Sequence, residues 1–267
     1  MTPLGQQPEL PDTSLPGAPP PNPSLPNAAQ ETESDPFWSY LDVLVFAGLA
    51  VPSLLAGELI VRLAMALFHW HVRFRVAEGV PAQFLGYLVL FGLLAVLLRL
   101  EYERPFWKSL GWRPMGWPPV GIVLCGVSAA VGVAWLGSHL RLPGGSTPMT
   151  QLMENRTAVL FMAIFGITAG PLCEELGFRG LLQPLLVRSL GAFPGIVVTA
   201  IPFGFLHFYQ YGNSIGYAAL VSLAGVSFGW MRHATGSTKA AALMHASYNA
   251  FVMLMLLAHG EDLPKSW

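Results

Sequence analysis

Charged side chains are scarce in this chain of 267 residues, of which 11% are charged and 53% are apolar. A soluble domain carries about 25% charged residues, so this sequence has too little polar surface to face water on all sides. The net charge is −1, and therefore no basic field indicates a nucleic acid as partner. The scarcity of charged residues favours a protein that is surrounded by membrane lipids.

Several hydrolytic sites are also missing from the sequence. The only aspartates are Asp12, Asp35, Asp42 and Asp262. No pair of aspartates therefore lies within the apolar runs, as an aspartic protease of the membrane needs. The pattern His-Glu-x-x-His, the usual zinc-binding helix of metalloproteases, does not occur. The two cysteines, Cys125 and Cys173, lie in apolar stretches and are expected to be free thiols.

The first 37 residues differ in composition from the rest of the chain. They contain ten prolines, five acidic residues and no Lys or Arg. Such a segment cannot bury enough apolar surface to offset its ordering entropy, so we expect a disordered, partly polyproline tail over residues 1–37. Its start lacks the basic residues and short apolar core of a secretory signal, so insertion is expected to rely on the chain's own spans.

Long apolar runs begin at Tyr40 and predict an all-α fold, a polytopic transmembrane bundle of about seven to eight helices. The predicted helices lie near residues 40–68, 82–99, 118–140, 157–188, 195–209, 215–232 and 239–258. Pro52 in the first run, and Pro171 and Pro184 in the fourth, predict kinks or splits. The fifth run is short for a span unless it continues into Tyr211.

This pattern predicts three parts after the N-terminal tail. Residues 38–154 would form the N-terminal transmembrane helices with an interfacial connector at 101–117, where tryptophans alternate with basic residues. Residues 155–258 would form the catalytic core, and residues 259–267 a short C-terminal tail. The expected location is a cell membrane that the chain crosses several times.

Ionisable side chains inside the predicted spans are few, and each costs on the order of 2.5–3.5 kcal/mol to insert. Glu58 and Arg62 are four residues apart with the acid first, the favourable order for a local ion pair, which we interpret as structural. Glu175 and Arg179 have the same spacing and order. Glu174 then lies on a neighbouring face without a local partner, which makes it a candidate acid or base.

Three further polar side chains are predicted in the layer of Glu174. The turn near Gly191 lies 16 or 17 residues from both Glu174 and His207, so two antiparallel helices would place these residues at one depth. His245 and Asn249 are one turn apart on the last helix, and Asn249 comes nearer to the depth of His207. The similar depths favour one common site for these four side chains, and a coincidental arrangement stays open as the alternative.

One other motif points to a nucleophile. The segment Gly225-Val-Ser227-Phe-Gly229 matches the pattern G-x-S-x-G of serine hydrolases. It lies inside an apolar helical run rather than at a turn between a strand and a helix. We therefore interpret Ser227 as a small residue that packs between helices.

The polar residues resemble the signature of the type II CAAX prenyl endopeptidases and their bacterial relatives, the CPBP or Abi family. That signature is E-E-x-x-x-R, then F-x-x-x-H, then H-x-x-x-N or H-x-x-x-D. It reads here Glu174-Glu175-Leu-Gly-Phe-Arg179, Phe203-Gly-Phe-Leu-His207 and His245-Ala-Ser-Tyr-Asn249. All three motifs occur in order, and the resemblance covers roughly residues 155–258.

The resemblance implies an intramembrane glutamate-dependent endopeptidase. Glu174 with His207 would activate a water molecule, and His245 and Asn249 would stabilise the oxyanion. The residues implied to support the motif are Glu175, Arg179 and Phe203. The implied substrate is a membrane-associated protein or peptide, with a lipidated CAAX-type protein as one option, and membrane lipids are the other partners. No cofactor is expected.

Three alternatives stay open at this stage. One is a non-catalytic membrane immunity or binding protein of the Abi type, in which the motif only holds the bundle together. Another is a transporter that uses buried Glu and His side chains as a proton relay. The third is a zinc site built from Glu174, His207 and His245. We expect no metal, because Asn249 is a poor zinc ligand and Arg179 would repel a divalent ion.

Overall fold

The computed structural model describes residues 36–69, 75–144, 147–148 and 156–258. The predicted tails therefore lie outside the described residues, apart from Pro36 and Phe37. Every regular element in the described ranges is a helix, as predicted. In chain order they are α1 (Tyr40–Leu67), α2 (Arg75–Glu101), α3 (Phe106–Ser109), α4 (Pro119–His139), α5 (Arg156–Ile167), α6 (Ala169–Glu175), a π-helical turn (Leu176–Leu182), α7 (Gln183–Leu190), α8 (Ala192–Leu206), α9 (Ile215–Thr235) and α10 (Thr238–Ala258).

Five helical segments in the described part of the chain are long and apolar enough to cross a membrane. They are Tyr40–Leu67, Gly79–Glu101, Pro119–His139, Ala158–Leu190 and Thr238–Ala258. All seven predicted runs are helical, but two of them, α8 and α9, are too short or too polar to be counted among these membrane-crossing segments. Helix α8 has only 15 residues, and α9 is long enough but contains glycines, serines and Arg232, which make it less apolar.

The outer surface of the bundle is apolar. Between 11% and 28% of the residues in each of the five apolar windows are buried inside the protein. Large apolar side chains such as Leu44, Leu67 and Leu100 are two-thirds or more exposed. A water-soluble protein does not display apolar surface on this scale, whereas lipid-facing helices require it. These features support a membrane protein.

The predicted fourth helix is interrupted twice, at the two places where it contains proline. Thr168 leaves the helical conformation with φ −120° and ψ −86°, and α6 begins after it. Pro171 has no N–H to donate to the carbonyl of Ile167 and its ring would clash with that carbonyl, so the helix ends there. Pro184 likewise lies in the first turn of α7, two residues after the π-helical turn Leu176–Leu182 ends. Such turns are frequent at functional sites.

Helix α1 stays continuous through Pro52, where the sequence allowed a kink. It crosses α2 at Gly57 and Gly86, where the backbones approach so closely that a Cβ at Gly57 would collide with the backbone of α2. The start of α1 is tied to the segment that follows the motif glutamates. Trp38 donates its Nε1–H to the carbonyl of Leu181 at 3.0 Å. The helical hairpin α1–α2 is thereby held beside the candidate site.

Helix α8 ends earlier than predicted. It stops at Leu206, and His207 forms its C-cap with φ −90° and ψ −2°. The expected continuation to residue 209 is wrong, because the chain turns through Gly212 and Asn213, both of which adopt left-handed conformations. His207 therefore lies at a helix end rather than within a span, where its backbone is less constrained.

Candidate active site

Glu175 is the fully buried centre of the candidate site. Its Oε1 accepts a hydrogen bond from Nη1 of Arg179 at 3.0 Å, as the spacing of four residues predicted. The same oxygen lies 2.9 Å from Nδ1 of His245. Because an ionised carboxylate only accepts hydrogen bonds, Nδ1 of His245 carries the proton. Glu175 thus fixes the tautomer and the orientation of His245 as well as pairing with Arg179.

Arg179 is also fully buried, so its charge must be met inside the protein. Nη2 donates to the carbonyl of Gly225 at 2.7 Å. The guanidinium carbon lies 4.4 Å from the ring centroid of Phe203, 5.6 Å from that of Phe228 and 5.8 Å from that of Phe178. Aromatic faces attract cations at such distances. A carboxylate, a carbonyl and three rings therefore surround the cation.

The two glycines of the G-x-S-x-G match allow these contacts. A Cβ at Gly225 would lie 2.8 Å from Cδ1 of Phe203 and 3.1 Å from Nη2 of Arg179. Gly229 offers its carbonyl to Nε2 of Gln183 at 2.9 Å. Ser227 donates its hydroxyl to Ala224 in its own helix at 2.6 Å, in agreement with a packing residue. The two glycines are therefore the residues of this segment that contribute to the site, and Ser227 is not.

Glu174 has different surroundings from Glu175. Its side chain is 20% exposed, whereas that of Glu175 is 0% exposed. Oε2 of Glu174 lies 3.9 Å from Nε2 of His245, which is too long for a hydrogen bond. No hydrogen bond or ion pair joins Glu174 to His207, although both are among the described residues. Glu174 is therefore the accessible carboxylate of the pair and faces the free nitrogen of His245.

His207 and Phe203 are held together by the end of α8. Nδ1 of His207 lies 3.0 Å from the carbonyl of Phe203, so this nitrogen is the donor and Nε2 is left as an acceptor. The Phe203 ring is 5.2 Å from the His207 ring and 5.7 Å from the His245 ring, measured between centroids. Phe203 thus contacts both predicted catalytic histidines and also lies against Arg179.

Asn249 forms a hydrogen bond at the break in the fourth predicted helix. Its Nδ2 donates to the carbonyl of Gly166 at 2.7 Å. Gly166 lies in the last turn of α5, where the helix stops at Ile167, so the carbonyl of Gly166 lacks the donor that a further helical turn would supply. Asn249 therefore caps α5 and keeps one amide N–H for another acceptor.

Several residues of the site were not singled out from the sequence. They are Gln183, Phe228 and Tyr211. The Phe228 ring stacks on His245 with 4.4 Å between centroids and 17° between planes. Burial, and after it the charge of Glu174, raises the pKa of Tyr211, which lies in the turn after α8. No spacing rule connects these residues with the motifs, so only the fold reveals them.

A zinc site is the alternative role for the two histidines and Glu174. Within the described residues, no group of three or more His, Cys, Asp or Glu side chains is placed to hold a metal ion. The nitrogens that would bind a metal at His207 and His245 belong to rings that both contact Phe203. The expectation that catalysis needs no cofactor or metal stays a prediction.

Comparison with known proteins agrees with the motifs. No curated protein and no solved structure matches the chain. The model of the Rce1-like family, the type II CAAX prenyl endopeptidases, matches residues 156–251. This range contains all three motifs and lies within the range 155–258 inferred from them. The resemblance is thereby confirmed, and over residues 156–251 this chain is similar to the Rce1-like, type II CAAX prenyl endopeptidases.

Proposed function

We propose that the chain is a multi-pass membrane endopeptidase in which Glu174 is the general base. The observation that carries this proposal is the contrast between two adjacent glutamates. Glu175 is fully buried and paired with Arg179 and His245, whereas Glu174 is partly exposed and faces the free nitrogen of His245 without a hydrogen bond. An accessible carboxylate beside an acceptor nitrogen is suited to bind and deprotonate a water molecule.

The proposed reaction is direct hydrolysis. Glu174 takes a proton from water, with Nε2 of His207 as a second acceptor near the attacking water. The oxygen of the water forms a bond to the carbonyl carbon of the peptide, and the negative charge collects on the carbonyl oxygen. When this intermediate collapses, the C–N bond breaks and the proton passes from Glu174 to the leaving amine. The products are a carboxylic acid, which then loses its proton to the surroundings, and an amine, so no further reactant is needed.

The predicted oxyanion donors retain a role in this scheme. Asn249 has one amide N–H left after the bond to Gly166. His245 donates through Nε2 only when it is protonated, because Nδ1 already donates to Glu175. Donors aimed at the developing oxyanion usually give the largest single contribution to acyl transfer.

The proposed substrate is a membrane-associated protein or peptide, including one with a lipidated CAAX-type end, in the cell membrane. The Rce1-like match and the apolar outer surface of the helices support this choice. Helices α8 and α9 are proposed to lie in the membrane beside the five long apolar segments. The rival reading, a non-catalytic immunity or binding protein, accounts for the buried pair Glu175–Arg179 but gives Glu174 no function.

The test is hydrolysis by the purified full chain in liposomes. The substrate is a farnesylated peptide that ends in a CAAX sequence, and mass spectrometry identifies the products. We expect the wild type to release the C-terminal fragment and Glu174→Gln to release none. A wild type that cleaves neither this peptide nor its unprenylated form above the rate of Glu174→Gln would overturn the proposal in favour of the non-catalytic reading.

A further inference from the structure

Three buried polar side chains follow one another at intervals of four residues in the motif segment. They are Glu175, Arg179 and Gln183, with 0%, 0% and 3% of their surface exposed. The first two form the ion pair of the site, whereas Gln183 lies just beyond the π-helical turn, at the start of α7. Burying a polar group costs free energy unless a hydrogen bond replaces its contacts with water. The burial of Gln183 therefore depends on what its side chain binds.

Gln183 binds α9 in the same way as Arg179. Nε2 of Gln183 donates a hydrogen bond to the carbonyl of Gly229 at 2.9 Å. Nη2 of Arg179 donates to the carbonyl of Gly225 at 2.7 Å. The two donors are four residues apart, and so are the two acceptors. The bonds are therefore successive links between two helical segments, and together they fix how far one segment can slide along the other.

The π-helical turn Leu176–Leu182 explains how all three side chains can face inward. In an α-helix with 3.6 residues per turn, residues four apart are rotated by about 40° around the axis, and residues eight apart by about 80°. A π-helix bonds each residue to the fifth one along the chain, so its turn is wider and counters this rotation. Arg179 and Gln183 are therefore both directed at α9, while Glu175 remains buried.

The surroundings of Gln183 indicate a role other than net stability. A Cβ at Gly229 would lie 2.8 Å from Oε1 of Gln183 and 2.9 Å from Cγ2 of Ile196, so glycine is what lets the carboxamide reach this carbonyl. Oε1 is buried and has no hydrogen-bond partner among the described residues. An unpaired buried acceptor costs at least as much free energy as the bond at Nε2 gains. The benefit of Gln183 is therefore the position that its one bond defines.

We propose that Gln183 is a positioning residue that sets the register of the glutamate motif against α9. Together with Arg179 it holds the motif segment where Oε1 of Glu175 lies 2.9 Å from Nδ1 of His245. That contact orients the ring of His245, whose Nε2 faces Glu174. Gln183 thus acts on the proposed general base through its helix and does not touch the substrate. This inference rests on the proposed peptidase function.

The test measures kcat and KM of Gln183→Met in the full chain, in liposomes and with the farnesylated peptide. Methionine is unbranched like glutamine and fills a similar space, but it has no N–H to donate to Gly229. We expect kcat to fall about 10-fold or more, because small displacements of catalytic groups cost up to about 100-fold. KM should change less than about threefold, since the residue does not bind substrate. The melting temperature should stay near that of the wild type.

Thr199→Val is the matched control. Thr199 is 1% exposed, and its Oγ1 donates to the carbonyl of Gly195 in its own helix α8 at 2.7 Å. The valine therefore removes a buried hydrogen bond to a backbone carbonyl, as Gln183→Met does, but no bond between helices. This variant should keep the wild-type kcat.

A second readout is the proton on the ring of His245. Nitrogen NMR of isotope-labelled histidine shows which ring nitrogen carries the proton, and the signal missing from His245→Gln identifies this ring. In the wild type and in Thr199→Val, the neutral ring should carry the proton on Nδ1, which donates to Glu175. Gln183→Met should show a mixture of the two tautomers, because the contact with Glu175 is no longer held in register. A side chain that only fills space would leave this signal unchanged.

Each outcome decides a separate point. A Gln183→Met variant with the wild-type kcat or the wild-type tautomer overturns the inference and leaves the peptidase function intact. An equal loss of kcat in Thr199→Val also overturns it, since any buried hydrogen bond would then have the same effect. If Gln183→Met does not fold, Gly229→Ala decides, because its Cβ would displace the carboxamide, and unchanged kcat there overturns the inference. A wild type without activity above Glu174→Gln overturns the proposed function itself, and this inference with it.

Discussion

Nδ1 of His245 lies 2.9 Å from Oε1 of Glu175, although 70 residues separate the two in the chain. This contact joins the first and third motifs and makes Glu175 the common partner of a cation and an imidazole. Glu174, the next residue along the chain, is thereby left as the carboxylate without a hydrogen-bonded partner. The two adjacent glutamates therefore have different roles, one structural and one chemical.

Arg179→Ala should lower the free energy of unfolding by about 3–5 kcal/mol, because it leaves Glu175 as a buried charge without its cation. Thermal unfolding in detergent measures the effect. Arg62→Ala is the matched control, since the pair Glu58–Arg62 has the same spacing but side chains that are 47% and 67% exposed. That change should cost less than about 1 kcal/mol. A melting temperature for Arg179→Ala equal to that of Arg62→Ala would contradict a structural role for the buried pair.

Gly225→Ala should destabilise the protein by about 1–3 kcal/mol, because the new Cβ would meet Phe203 and Arg179. The control is Gly132→Ala on α4, where a Cβ meets nothing within 4 Å. An alanine there should leave stability unchanged or raise it, since alanine favours a helix over glycine. Equal unfolding temperatures for the two variants would show that the close approach at Gly225 is not needed.

Deletion of residues 1–36 should leave insertion and catalysis intact, because a proline-rich acidic segment has no apolar face to contribute. Trp38 marks the point at which shortening becomes harmful. It is 2% exposed and donates to the carbonyl of Leu181. Trp38→Ala should therefore destabilise the chain by about 3–5 kcal/mol. Loss of all activity in liposomes after the deletion alone would instead make the tail part of substrate recruitment.

Catalysis should survive exhaustive treatment with a membrane-permeant chelator. The expected reaction uses Glu174 as a base and needs no Lewis acid, and Asn249 rather than a third histidine accompanies His245. Elemental analysis of the purified protein accompanies the activity measurement. Activity that is lost to the chelator, restored by zinc and matched by about one metal ion per chain would turn Glu174, His207 and His245 into metal ligands.

Part of this architecture could be read from the sequence because its causes are local. The apolar runs predicted the helices, and the spacing of Glu175 and Arg179 predicted their ion pair. Pro171 and Pro184 predicted interruptions, which the structure shows as the break at Thr168 and the π-helical turn. Each of these features depends on residues within a few positions of one another.

The remaining features depend on how separate helices meet. Counting residues from the turn near Gly191 assumed straight helices and set Glu174 beside His207. The π-helical turn Leu176–Leu182 interrupts the helix between Glu174 and Gly191, and His245 is the imidazole that lies beside both glutamates. The carbonyl of Gly225 carries no sequence signal for its bond to Arg179, because any glycine in an apolar helix looks the same.

The central claim is that Glu174 performs the chemistry while Glu175 holds the site. The most direct measurement compares kcat for the farnesylated peptide in wild type, Glu174→Gln and His207→Ala, at equal amounts of monodisperse protein with equal melting temperatures. The account predicts that both variants remain folded and lose at least about 100-fold in kcat. Near wild-type turnover by Glu174→Gln would contradict the account, whatever the behaviour of the other variant.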